Sequence, residues 1–168
     1  LLKTRLRGSN WENSPWSSTV SVGLHGLEIM SGEWGNEDVM MVERLWYQFP
    51  IGDEFTATLG ALVRQDEMLA MWPSAYPADP ILDVFAYAGT PGTYTLHKGG
   101  GAGIWWDDSD SGWSISASYL SANADNGRPS DTWNEESEEW NYGGGIATDA
   151  AMSSGNVQVA YSADNWGA

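Results

Sequence analysis

Hydrophobic and polar residues alternate with a period of two through much of this chain, most cleanly over residues 39–64. Phe55, Ala57, Leu59, Ala61 and Val63 fall on one side, whereas Glu54, Thr56, Thr58, Gly60 and Arg64 fall on the other; only Leu62 breaks the pattern. Successive side chains of a strand point to opposite faces, so this spacing predicts a strand with one apolar and one polar face. The segment before it repeats the arrangement, with Val39, Met41, Leu45, Tyr47 and Phe49 on one face and Asp38, Arg44 and Gln48 on the other. Pro50-Ile51-Gly52-Asp53 supplies the tight turn between them. Glu43 stands on the apolar register, which places it near an interface or at a bulge.

Read in order, the chain offers eight candidate strands. Leu2, Thr4 and Leu6 alternate with Lys3, Arg5 and Arg7, so a first strand carries three positive charges on a single face. Residues 8–17 form a turn-rich connection, and a strand over 18–29 places Val20, Val22 and Leu24 together before a turn at 31–36. The stretch 65–91 is irregular, with four prolines. It is too apolar for disorder and should pack against something. Within it, Asp79 and Pro80 open a run at 80–87 that predicts a short helix. Strand character resumes near Thr93 and runs to Trp106, and after a polar turn at 107–112, Trp113, Ile115, Ala117 and Tyr119 alternate with Ser114, Ser116 and Ser118. A second long loop at 123–141 carries Glu135, Glu136, Glu138 and Glu139. Two strands close the series: 142–151, a turn at 152–156, then Val157, Val159 and Tyr161 alternating with polar residues.

Short turns at 50–53, 107–112 and 152–156 thus alternate with long loops at 65–92 and 123–141. A transmembrane barrel produces that alternation, with turns at one rim and loops at the other, whereas a soluble Greek-key sandwich has no reason to keep it. The expected fold is all-β, part of a transmembrane antiparallel β-barrel.

Composition narrows the reading. Among 168 residues, 11 Trp and 7 Tyr stand beside 3 Phe and 20 Gly, a balance that favours strands and turns over helices. No stretch approaches the roughly 18 consecutive apolar residues of a membrane helix, so only a closed barrel could satisfy the backbone in a bilayer. The 23 Asp and Glu against 7 Lys and Arg give a net charge of −16, which argues against a nucleic-acid partner. Cysteine is absent, which excludes disulfides and thiolate metal sites.

The segments Leu45-Trp46-Tyr47-Gln48-Phe49-Pro50-Ile51-Gly52-Asp53, Gly99-Gly100-Gly101-Ala102-Gly103-Ile104 and Ser116-Ala117-Ser118-Tyr119-Leu120-Ser121-Ala122-Asn123-Ala124 resemble the OprB-like carbohydrate-selective porin family. The likeness is nearest to its cyanobacterial outer-membrane branch, associated with iron or ion uptake, and Leu1-Leu2-Lys3-Thr4-Arg5-Leu6 looks like the end of an early strand motif of that family. The resemblance implies passive transport of ions or small sugars across the outer membrane, a homotrimer, no cofactor and a barrel of about sixteen strands. It also implies an N-terminal surface-layer-homology domain that binds cell-wall polymer; nothing here matches that domain. The chain therefore reads as an N-terminal to middle portion of a single barrel domain.

Chemistry adds little to compete with this. Trp46, Tyr47, Trp105, Trp106, Trp113, Tyr119, Tyr142 and Tyr161 lie on strands or at their ends, as interfacial aromatic girdles do; a sugar-stacking platform is the alternative. His25 and His97 are single and far apart, and Glu135 and Glu136 sit in a loop as a solvated charge run, so no metal or catalytic site is expected. Five of the seven basic residues, Lys3, Arg5, Arg7, Arg44 and Arg64, fall opposite the apolar face. In a barrel that face is the lumen, because charge facing lipid at mid-depth costs about 2–4 kcal/mol. If the 65–92 loop folds inward, its carboxylates Asp66, Glu67, Asp79 and Asp83 meet this basic wall, and those nine side chains become the expected pore-lining and selectivity set. A soluble carbohydrate-binding β-sandwich is the second reading and a glycoside hydrolase the third.

Overall fold

The computed structural model describes residues 1–9, 39–72, 97–108, 110–164 and 166–167. Among them the chain is all-β with no α-helix: β1 (Leu2–Ser9), β2 (Val39–Ile51), β3 (Phe55–Val63), β4 (Gly99–Asp107), β5 (Trp113–Ser121), β6 (Thr132–Asn134), β7 (Glu139–Asn141), β8 (Ser153–Ala163) and β9 (Trp166–Gly167). One sheet runs in the order β1-β2-β3-β4-β5-β8-β9, and β6 and β7 form a separate hairpin. Pairing is antiparallel from β2 onward. By compactness the chain divides in two: among the described residues the larger unit holds 1–3, 44–72 and everything from 97 onward, and the smaller holds 4–9 and 39–43.

Register explains what the larger unit's sheet does with its hydrophobic residues. Three rows cross it on one face: Tyr47, Leu59, Ala102, Tyr119 and Gly155; Phe49, Ala57, Ile104, Ala117 and Val157; Ile51, Phe55, Trp106, Ile115 and Val159. This apolar face is the open one, with Leu59, Val157 and Val159 exposed at 62%, 74% and 60%. The opposite face carries Trp46, Gly60, Gly101, Leu120 and Ser154 in one row and Gln48, Thr58, Gly103, Ser118 and Asn156 in the next. There Thr58, Ser116 and Ser121 are buried to 1% exposure or less. A water-soluble sheet is arranged the other way round, apolar side covered and polar side wet.

The cover on the polar face is the segment that follows β3. It begins as a 3-10 turn, Gln65–Met68, whose Glu67 carboxylate accepts the Arg64 backbone N–H at 3.1 Å, closing half of a capping box. Met68 is fully buried and seated over Gly103, where an added Cβ would lie 2.7 Å from the Met68 Cβ. Trp46, Val63, Met68 and Leu120 form the small apolar cluster beneath. Two glutamines fasten the segment to β8. Gln65 Nε2 donates to the Ser154 carbonyl at 3.0 Å while Ser154 Oγ donates to Gln65 Oε1 at 3.1 Å. The Met71 N–H donates to Gln158 Oε1 at 3.2 Å, and Gln158 Nε2 returns a bond to the Met71 carbonyl at 2.9 Å.

Several expectations are corrected here. Val63 is not on the apolar face: Leu45 pairs with Leu62 but Trp46 with Gly60, so Ala61 is an extra, bulged residue and Val63 turns to the covered side with no exposure. The break at Leu62 is thus the sequence mark of that bulge. Met41 does not share the exposed set of β2, since Met40 and Val42 are exposed while Glu43 and Arg44 are buried in succession. The turn after β2 is shorter than expected, because Pro50 and Ile51 still pair with Thr56 and Phe55 and the positive φ falls on Gly52. Residues 142–151 are not a strand. Gly145 and Ala147 take φ of 107° and 54°, which an extended strand cannot contain. Side chains capture this loop's backbone instead: Asn123 Nδ2 donates to the Gly143 and Ala150 carbonyls, both at 3.0 Å, and its Oδ1 accepts the Met152 N–H at 2.8 Å. The strand begins at Ser153, so there is no turn at 152–156. The expected strand at 18–29, the turn at 31–36 and the helix at 80–87 lie outside the described residues.

With these changes, 52–54 and 108–112 remain short connections at one end of the sheet, and 64–98 and 122–152 are long ones at the other.

Candidate functional site

The ion pairs of the larger unit gather where the 3-10 turn meets the sheet. Glu67 is the hub: its Oε1 lies 2.7 Å from Lys3 Nζ and its Oε2 3.1 Å from Arg44 Nε. Beside it Arg64 Nε stands 3.4 Å from Asp66 Oδ1. Lys3 also sits over the Trp46 ring, 5.2 Å from its centre, so the indole holds the ammonium from a second side. Burial is graded, with Arg44 at 3% side-chain exposure, Arg64, Glu67 and Asp66 at 11–14%, and Lys3 at 44%.

Each member is placed by the element that carries it. The bulge at Ala61 advances the register by one residue, and Arg64 then opens the 3-10 turn that holds Asp66 and Glu67 one after the other. The two neighbouring carboxyls titrate in opposite directions. Burial pushes Asp66 above its ordinary value, and the Arg64 charge only partly offsets this. Burial acts on Glu67 in the same sense, but the Lys3 hydrogen bond and the Arg44 charge outweigh it, holding Glu67 below its ordinary value.

The nine residues expected to line a pore are distributed as follows. Lys3, Arg44, Arg64, Asp66 and Glu67 come together in this cluster. Arg5 lies in the smaller unit, where its Nε is 2.8 Å from Oε2 of Glu43. Glu43, expected on the apolar register, is only 4% exposed and is held by that pair. Arg7 belongs to β1, and its side chain, like Asp79 and Asp83, lies outside the described residues, as does His25. His97 is exposed, and Glu135 and Glu136 stand exposed in the turn of the β6–β7 hairpin. Trp46 leaves the girdle expected for it: it is 6% exposed, on the covered face.

Periodicity gave no warning of Gln65, Met68 and Gln158, which hold the cluster's turn in place. The readable signal was the glycine run beginning at Gly99, whose Gly101 and Gly103 clear space on the covered face. The arrangement presents fixed, paired charges and no nucleophile with an adjacent base, and among the described residues no group of three or more metal-ligating side chains occurs. It can orient and filter charged or dipolar solutes by field. No protein-family model, curated protein or solved structure matches the chain.

Proposed function

We propose that this chain is part of an outer-membrane porin, a passive channel for small hydrophilic solutes whose constriction is formed by the segment after β3. One observation carries the reading: the sheet is inside out, its apolar rows open and its polar rows covered by an acidic, self-fastened turn. Such a sheet is suited to hydrocarbon outside and water inside. The exposed aromatics fit the same reading, since Trp113 and Tyr161 sit 5.1 Å apart, and Tyr161 and Trp166 5.2 Å apart, at the turn end of the open face. The motifs at 45–53, 99–104 and 116–124 add the resemblance to OprB-like porins, from which come a barrel of about sixteen strands, a trimer, and ions, iron or small sugars as solutes.

In this channel Arg44, Arg64 and Lys3 form one side of a charged constriction and Asp66 and Glu67 the other, so selectivity arises from a transverse field. A soluble carbohydrate-binding sandwich would bury the Leu59, Ile104 and Val157 face against a second sheet, and that face is open. The test is reconstitution of the full chain in a planar bilayer. Discrete ion-conducting steps that require detergent-solubilised protein are expected; a protein that stays monodisperse without detergent and never conducts would sink the proposal.

A further inference from the structure

The open apolar face is not smooth. Near the turn end it dips into a groove of about 330 Å³ lined by Phe55, Ile104, Trp105, Trp106, Ile115 and Ala117. Its floor exists because Ala117 is small and pairs with Ile104, between the bulkier Ile115–Trp106 and Tyr119–Ala102 pairs. At the groove's mouth the Trp106 indole N–H donates to Glu54 Oε2 at 2.9 Å, which fixes the ring along the wall. Glu54 and Asp107 adjoin there, the Asp107 N–H donating to the Glu54 carbonyl at 3.3 Å. The neighbouring ionisable groups of the turns, Asp53, Asp108, Asp110 and Asp164, are also acidic, and no Lys or Arg stands in 46–60, 102–121 or 153–164.

We infer that this groove seats one acyl chain of a lipid whose headgroup carries a primary ammonium, the ammonium resting between the Glu54 and Asp107 carboxylates. The inference rests on the membrane reading above. The lining accepts hydrocarbon and offers it no charge. A headgroup lying at the level of Trp106 meets carboxylates alone, which attract an ammonium and repel a headgroup whose only charge is phosphate. A second copy is the poorer occupant: copies inserted in the same orientation bring their turn ends to one height, so an acidic rim would face an acidic rim.

The test is native mass spectrometry of the full chain in detergent, titrated with phosphatidylethanolamine or phosphatidylglycerol of identical acyl chains. The wild type should retain one phosphatidylethanolamine about tenfold more readily than phosphatidylglycerol. Ala117→Phe, which fills the groove without altering charge, should release it. Glu54→Gln with Asp107→Asn should keep a bound lipid and bring the preference close to one. Equal retention of the two lipids by the wild type would overturn the inference, as would a retained lipid unaffected by Ala117→Phe. A change of oligomer mass in Ala117→Phe with no lipid released would give the groove to a second copy and overturn it too. Insertion and conductance measured on the same sample separate the two readings: a conducting channel without headgroup preference rejects only the lipid site, and a protein that does not insert rejects the porin.

Discussion

Replacing Gly103 by leucine would fill the seat in which Met68 is buried, and the consequences can be worked from the geometry. Even a single Cβ at Gly103 would lie 2.7 Å from the Met68 Cβ and 3.1 Å from its Sδ, so the segment must move as a body; the near atom belongs to the root of the side chain, not its flexible end. Forcing extra methylenes into such a site costs about 1–3 kcal/mol. Turning Met68 out to water forfeits about 1.5–3 kcal/mol of apolar burial. Against this stand the four hydrogen bonds of Gln65 and Gln158, each contributing about 0.5–1.5 kcal/mol. The leucine therefore removes or reverses at least half of what holds the segment. Single-channel conductance of the full chain should rise for Gly103→Leu and change little for Gly103→Ala, with Val157→Leu on the open face as a control at wild-type conductance. If Gly103→Leu inserts normally and its conductance and ion selectivity match wild type, the 65–72 segment does not narrow a pore.

Other outcomes follow from the cluster and the open face. Glu67→Gln leaves Lys3 and Arg44 without their shared carboxylate, so the reversal potential in a salt gradient should move toward anion preference, whereas Arg44→Gln should move it toward cations. Acidification should act in two stages. Asp66, raised above 3.8, takes up its proton first, and because its folded value lies above its unfolded one this uptake favours the folded state; the stabilisation from Glu67, held below 4.5, is present above 4.5 and is lost as pH falls through its folded value. Selectivity titrated against pH should show an upper step abolished by Asp66→Asn and a lower one abolished by Glu67→Gln; a single step unaffected by Asp66→Asn counts against this assignment. Val157→Arg places a charge on the open face and should cost about 2–4 kcal/mol of stability in a bilayer, seen as a smaller heat-modifiable fraction, while Val157→Leu should not.

Much of the sheet was legible because its two faces differ in kind. Strands β3, β4 and β5 follow the two-residue alternation, and the glycine and serine positions that mark the polar face are the ones that end up covered. What failed to show had local causes. The Gly143-Gly144-Gly145 segment is decided by backbone φ and by Asn123, 20 residues before Gly143. The β6–β7 hairpin hid in an acidic loop because its pairing depends on one cross-strand match, Trp133 against Trp140 with ring centres 5.5 Å apart. At the cluster, the basic residues could be placed from alternation alone. Their pairing with Glu67 could not, since it depends on a bulge whose only trace was the misplaced Leu62.

The double glutamine fastening also sets an order of assembly. Gln65 meets Ser154 across 89 residues of chain, and Met71 meets Gln158 across 87, although the segment that carries Gln65 and Met71 follows β3 directly. Both partners lie on β8, which joins the sheet through β5. Contacts so distant along the chain are slow to close, and these have no anchor until β8 has docked. The passage is therefore wide while the sheet is being built and narrows only as one of its last folding events, so a chain arrested before β8 would be leaky and unselective.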